Sequence, residues 1–145
     1  MNLDTLYQEV ILDHYKNPLN KKLSPTYDVQ VHHINPSCGD EITLNLSAVD
    51  GVITAITWDG VGCSISQASV SIASDLLMGK TFGQAQAISD EFVDLMQSKG
   101  KKVGNEQTLE DAVALAGVSQ YPARIKCALL GWMAIKDASI QTQTK

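Results

Sequence analysis

The chain predicts an α+β fold, a small three-stranded antiparallel sheet packed against about five or six helices, in one domain spanning residues 1–145. Three observations predict it. Residues 27–58 alternate apolar and polar side chains in three runs, the period of half-buried strands. The segments on either side repeat apolar residues at intervals of three and four, the period of helices. Asp50-Gly51 joins the second run to the third, and that dipeptide suits the tight turn of an antiparallel hairpin. With 145 residues, 44% of them hydrophobic, the chain can bury a core of its own without disulfides.

The first helix is predicted from Leu3, Leu6, Tyr7, Val10, Ile11 and His14, one buried stripe that Asn17-Pro18 ends. His14 at the end of the stripe reads as a hydrogen-bonded helix-end histidine rather than a ligand. Tyr27, Val29 and Val31 alternate with polar neighbours and give the first strand. His32 and His33 point to opposite faces of it and are assigned structural or exposed places. Ile42, Leu44, Leu46 and Ala48 mark the second strand and Val52 to Trp58 the third. From Ser64 the period turns helical, with Ile65, Ala68, Ile72 and Leu76 on one face and Gly79 as the stop. Thr81 and Gln84 fit a capping box for a next helix, interrupted around Ser89-Asp90-Glu91. An exposed loop over residues 100–107 precedes a short helix from Thr108, with Leu109, Ala112, Val113 and Ala116 buried and Gly117 closing it. The last helix starts near Pro122 with Ile125, Leu129 and Trp132 inside, and Gln141 to Lys145 reads as a polar tail.

The net charge of −5 argues against a nucleic-acid partner, because Lys21-Lys22 and Lys101-Lys102 are only short pairs. No apolar run is long enough for a membrane span. The opening Met1-Asn2-Leu3-Asp4 lacks the pattern of a signal peptide, so a cytoplasmic location is expected. In that compartment three cysteines point to thiolate chemistry or metal rather than disulfides.

Chemistry concentrates in Asn35-Pro36-Ser37-Cys38-Gly39-Asp40, a thiol and a carboxylate two residues apart in a stretch broken by Pro36 and Gly39. Cys63 follows a Gly-rich turn at the predicted start of a helix, where the helix dipole favours a thiolate. The antiparallel hairpin brings the start of the second strand beside the end of the third, so Cys38, Asp40 and Cys63 can converge. Cys127 lies in the last helix, with Arg124 one turn before it and Lys126 beside it as candidates to offset negative charge. Cys38, Asp40, Cys63 and Cys127 form a plausible four-ligand set, suited to tetrahedral Zn²⁺ and equally to an iron-sulfur cluster. There is no Cys-x-x-Cys pair, and spacing alone also leaves three unrelated cysteines open. A structural zinc module and a thiol hydrolase using Cys63 and His14 are the rivals from other classes.

Along nearly its whole length the chain resembles the IscU-like iron-sulfur assembly proteins, and among them the SufU type. The resemblance rests on Leu6 to Tyr15, on Asn35 to Asp40, on Gly62-Cys63-Ser64-Ile65-Ser66, and on Tyr121 to Ala128, in that order. It implies the family's SufE/IscU-like fold and metal ligation by Cys38, Asp40, Cys63 and Cys127. Two departures separate it from the IscU pattern. Lys126 stands where IscU proteins have a histidine, and Ser119-Gln120-Tyr121-Pro122-Ala123 replaces the Leu-Pro-Pro-Val-Lys stretch read by a dedicated chaperone, so no such chaperone is expected. The resemblance implies a zinc-bound sulfur acceptor that takes persulfide sulfur from a SufS-type cysteine desulfurase and feeds downstream iron-sulfur scaffold proteins. Its implied mechanism has a partner histidine displace one thiolate from zinc. Cys38 is assigned as that acceptor because its loop can move, with Arg124 supporting it. Assembly of a cluster on the same cysteines is the alternative.

Overall fold

A computed structural model describes residues 3–144; Met1, Asn2, Lys145 and the side chain of Leu3 lie outside it. Helix α1 (Leu3–Lys16) leads into three strands, β1 (Val29–Asn35), β2 (Asp40–Val49) and β3 (Val52–Val61), in the order β1-β2-β3, all antiparallel. Asp50 and Gly51 turn the β2-β3 hairpin with positive φ of 53° and 79°, the paired left-handed geometry that such a two-residue turn requires. Helices α2 (Ser64–Leu77), α3 (Phe82–Met96), α4 (Glu106–Leu109) and α5 (Pro122–Gln143) follow, with a 3-10 helix (Glu110–Gln120) between α4 and α5. The predicted α+β class and the three strands are therefore present.

Helices α2 and α5 form the middle of the molecule. They pack on each other, α5 lies on β1 and β2, α2 touches β3, and α1 with the 3-10 helix covers the far side of α2. Gly131 permits the α2-α5 contact, since a Cβ there would stand 2.6 Å from Val70 Cβ. The core joins Ile42, Leu44, Leu46, Ile56 and Trp58 of the sheet to Phe92 and Trp132, whose rings stack at 4.2 Å. No helix among the described residues is long and apolar enough to cross a membrane.

Several elements depart from the sequence pattern for identifiable reasons. Helix α2 is buried around most of its circumference instead of along one face, because it is covered from both sides; Ser66, Gln67, Ser69, Ser71 and Ser74 are inside it with the apolar residues. Leu6 is exposed, and the stripe of α1 runs through half-buried Tyr7, Val10 and Ile11 to buried His14. Tyr27 precedes β1 and is exposed. The Thr81–Gln84 capping box is formed, yet α3 continues through Ser89-Asp90-Glu91 without a break, since Ile88, Ser89, Phe92 and Leu95 all face the core. The helix predicted from Thr108 begins earlier, capped by Asn105, and passes at Glu110 into the 3-10 helix, which contains Gly117. In α5 the buried line is Cys127, Ala128, Gly131, Trp132, Ile135 and Ala138, with Ile125 and Leu129 half-buried. Of the polar tail, residues through Gln143 are helical.

Candidate metal centre

Four segments meet at one end of the sheet. The loop between β1 and β2 carries Cys38, Asp40 is the first residue of β2, Cys63 is the N-cap of α2, and Cys127 lies in the second turn of α5. The register pairs Asn35 with Asp40 and Glu41 with Val61, which sets the end of β3 and the start of α2 beside the Cys38 loop. All three thiols are free.

Asp40 is fully buried and anchored from three sides. Its Oδ1 accepts the Cys63 backbone N–H at 2.9 Å and the Ser66 hydroxyl at 3.1 Å, and its Oδ2 accepts from Asn35 Nδ2 at 3.2 Å. Burial by itself would raise this carboxyl. The Cys63 N–H, followed by Cys127, Ser66 and Asn35, outweighs burial and holds it below the usual carboxylate range. An ionised carboxylate is thus available as a ligand. Gly62 makes the arrangement possible: its φ is +154°, and a Cβ there would lie 2.4 Å from Asp40 Oδ1 and 2.6 Å from Ser66 Oγ.

Cys38 Sγ, Cys127 Sγ and a carboxylate oxygen of Asp40 lie within 4.8 Å of one another. The two sulfurs are 3.0 Å apart, and each approaches the Ala123 carbonyl at 3.8 Å. Cys63 stands outside that trio, near enough to influence both Cys127 and Arg124 electrostatically. Burial, and then the neighbouring Cys38, Asp40 and Cys63 side chains, push the Cys127 thiol well up from its ordinary value. A metal ion would reverse that order by favouring every deprotonated sulfur. The donor chemistry suits one small ion such as zinc, which takes thiolate and carboxylate ligands at about 2.0 to 2.3 Å. Exposed Arg124 faces the cluster, and the negative charge of Cys63, then its contact with Cys127 and the charges of Cys127 and Cys38, raise its pKa. Lys126 is exposed.

The histidines take no part. His14 has both ring nitrogens engaged at 2.9 Å, Nδ1 with Ser71 Oγ and Nε2 with Asp111 Oδ2, which leaves neither to serve Cys63 as a base. His32 pairs with Glu41 and His33 with Asp137 on opposite sides of β1. Sequence reasoning missed Asn35 and Ser66 as anchors of Asp40. Both sit inside the motifs quoted for the ligands, but only burial and contact reveal the role.

The model of the NifU-like N-terminal domain matches residues 6–128. The chain belongs to that family. It is 44% identical over 135 residues to the zinc-dependent sulfurtransferase SufU of Bacillus subtilis, covering 93% of this chain and 90% of the relative. It is 39% identical over 137 residues to the iron-sulfur cluster assembly scaffold protein IscU of Streptococcus pyogenes serotype M1, covering 94% of this chain and 84% of the relative. Among solved structures, FiSufU of Fervidobacterium islandicum AW-1, assigned as a cluster assembly scaffold of the SUF system, superposes with a TM-score of 0.84 at 29% identity. That match covers 95% of this chain and 99% of FiSufU.

Proposed function

We propose that the chain is a zinc-dependent sulfur acceptor that takes persulfide sulfur from a SufS-type cysteine desulfurase for iron-sulfur cluster assembly. The observation that carries this is the meeting of Cys38, Asp40 and Cys127 donor atoms, with Cys63 near Cys127, in a chain so similar to a zinc-dependent sulfurtransferase. Cys38, Asp40, Cys63 and Cys127 would hold the zinc, whose charge keeps thiols deprotonated at neutral pH. Cys38, half-buried on a loop rather than fixed in a helix, is the acceptor. Its thiolate attacks the outer sulfur of the donor's persulfide. The new bond is Cys38 Sγ–S, the donor's own S–S bond breaks, and the donor cysteine leaves as a thiolate, so one sulfane sulfur moves with no net oxidation. Arg124 offsets the negative charge that gathers there. Asp40 keeps its place through Cys63 N–H, Ser66 and Asn35. The sulfur passes from Cys38 to a downstream iron-sulfur scaffold, and the exchange takes place in the cytoplasm.

The similarity to IscU favours a second reading, assembly of a cluster on the same cysteines. Metal and sulfide analysis of protein purified without oxygen separates the two. About one zinc per chain in a colourless solution is expected, with sulfur uptake from the desulfurase lost in Cys38→Ala. Iron and acid-labile sulfide in matching amounts, or undiminished uptake by Cys38→Ala, would reject the acceptor reading.

A further inference from the structure

Asn35 closes β1 opposite Asp40, so this pair brackets the loop that carries Cys38. Residues directly opposed across antiparallel strands project to the same side of the sheet, and both of these are buried. A buried amide has to place its N–H donors, and Asn35 places them on two candidate ligands from different elements: Asp40 Oδ2 on β2 at 3.2 Å and Cys127 Sγ on α5 at 3.7 Å. Cys38 Sγ instead contacts the Cys127 thiol and the Ala123 carbonyl, neither of which is an N–H donor. An N–H directed at a thiolate draws charge from it and orients it, as partners behind metal ligands do.

We propose that Asn35 is a positioning residue of the metal centre, whose amide fixes Asp40 and Cys127 as ligands that stay and so leaves Cys38 as the sulfur free to react. The inference rests on the zinc and sulfur-acceptor reading above. It explains how Cys38 is selected over Cys127: Cys127 is buried and held by an amide donor, whereas Cys38 is half-buried on a loop.

The test compares the parent with Asn35→Ala and with Asn35→Leu, which keeps the buried volume and removes both N–H donors. Zinc affinity is read by competition with a chromophoric chelator, and the zinc-induced gain in Tm by melting loaded and stripped protein. Glutathione persulfide is then given to the zinc-loaded proteins, and peptide mass spectrometry locates the added sulfur. Zinc affinity should fall about tenfold or more, the Tm gain should shrink, and the added sulfur should spread from Cys38 to Cys127. A residue that only shapes the turn would lower both melts alike and leave the affinity, the gain and the sulfur position as in the parent, and that result overturns the proposal. So does failure of both variants to fold with zinc present. A parent that takes up no sulfur on Cys38, yet binds zinc in an Asn35-dependent way, would retire the acceptor reading and leave the positioning role standing.

Discussion

At the first turn of α2, Ser66 donates to the Asp40 carboxylate, and beside that carboxylate the sulfurs of Cys38 and Cys127 have each other, a carbonyl and one amide for company. Farther along the same helix, Ser69, Ser71 and Ser74 are consumed by the fold. Ser69 donates to the Ala128 carbonyl at 2.6 Å and accepts the Trp132 indole N–H at 2.9 Å. Ser71 engages His14 and accepts the Leu19 N–H at 2.8 Å, while Ser74 donates to the Ser71 carbonyl and accepts from Asn20. Helix α2 contributes to both regions. In the second, strong partners satisfy every one of these hydroxyls, and the result is a set of ties between α2 and its neighbours. The first leaves soft donor atoms with weak partners at 3.0 to 3.8 Å, and atoms of that kind remain available to an ion.

Substitutions in the two regions should therefore separate stability from metal binding. The largest effect is expected from Trp132→Ala, which empties a fully buried site, removes the stack on Phe92 and takes away the indole N–H that Ser69 accepts. A loss of about 3 to 5 kcal/mol in denaturant unfolding should follow, with zinc affinity of the folded fraction unchanged. A parallel fall in affinity would mean that the two regions are not separable.

Gly62→Ala should show the converse. Its Cβ would collide with Asp40 Oδ1 and Ser66 Oγ at a backbone angle that side chains rarely adopt, so the carboxylate must shift. Zinc affinity should drop about tenfold or more in chelator competition. The stability of the metal-free protein should fall by a smaller ~1 to 3 kcal/mol. Parent-like zinc binding in this variant would remove Asp40 from the ligand set.

The smallest effect belongs to a surface pair outside both regions. The His33 ring beside Asp137, helped by Gln141, holds the Asp137 carboxyl below its usual range. A carboxyl depressed in the folded state adds stability above its unfolded pKa, and loses that contribution as pH falls through the folded value. The Asp137 side chain is 41% exposed, so solvent screening keeps the effect small. The parent should lose slightly more stability between pH 5 and pH 3 than Asp137→Asn, an interval set by the ordinary aspartate pKa of about 3.9. Equal losses in urea titrations would show that the pair contributes nothing.

Much of this was legible in the residues themselves. Alternation gave β2 and its pairing with β3, Asp50-Gly51 the turn, and Thr81 with Gln84 the cap of α3, because each is a local rule satisfied by neighbours in the chain. Thiols and a carboxylate beside Gly-rich turns marked Cys38, Asp40 and Cys63 as candidates, while the joint ligand role of these residues with Cys127 rested on the family resemblance. Local rules failed where tertiary contact outvoted them. The apolar residues of α2 read as one buried face until two layers close over the helix and bury its serines too, and α3 passes through Ser89-Asp90-Glu91 because Ile88, Ser89, Phe92 and Leu95 face the core.

The sequence by itself determined the α+β class, the antiparallel hairpin and the four candidate ligands, since periodicity, turn chemistry and side-chain type are properties of short stretches. Only the tertiary structure decided that Cys38, Asp40 and Cys127 form the tight trio with Cys63 beside it, and that Asn35 and Ser66 hold the carboxylate. The physical reason is that these relations depend on distances between β1, β2, α2 and α5, which are fixed when one core packs them together and which no single segment encodes.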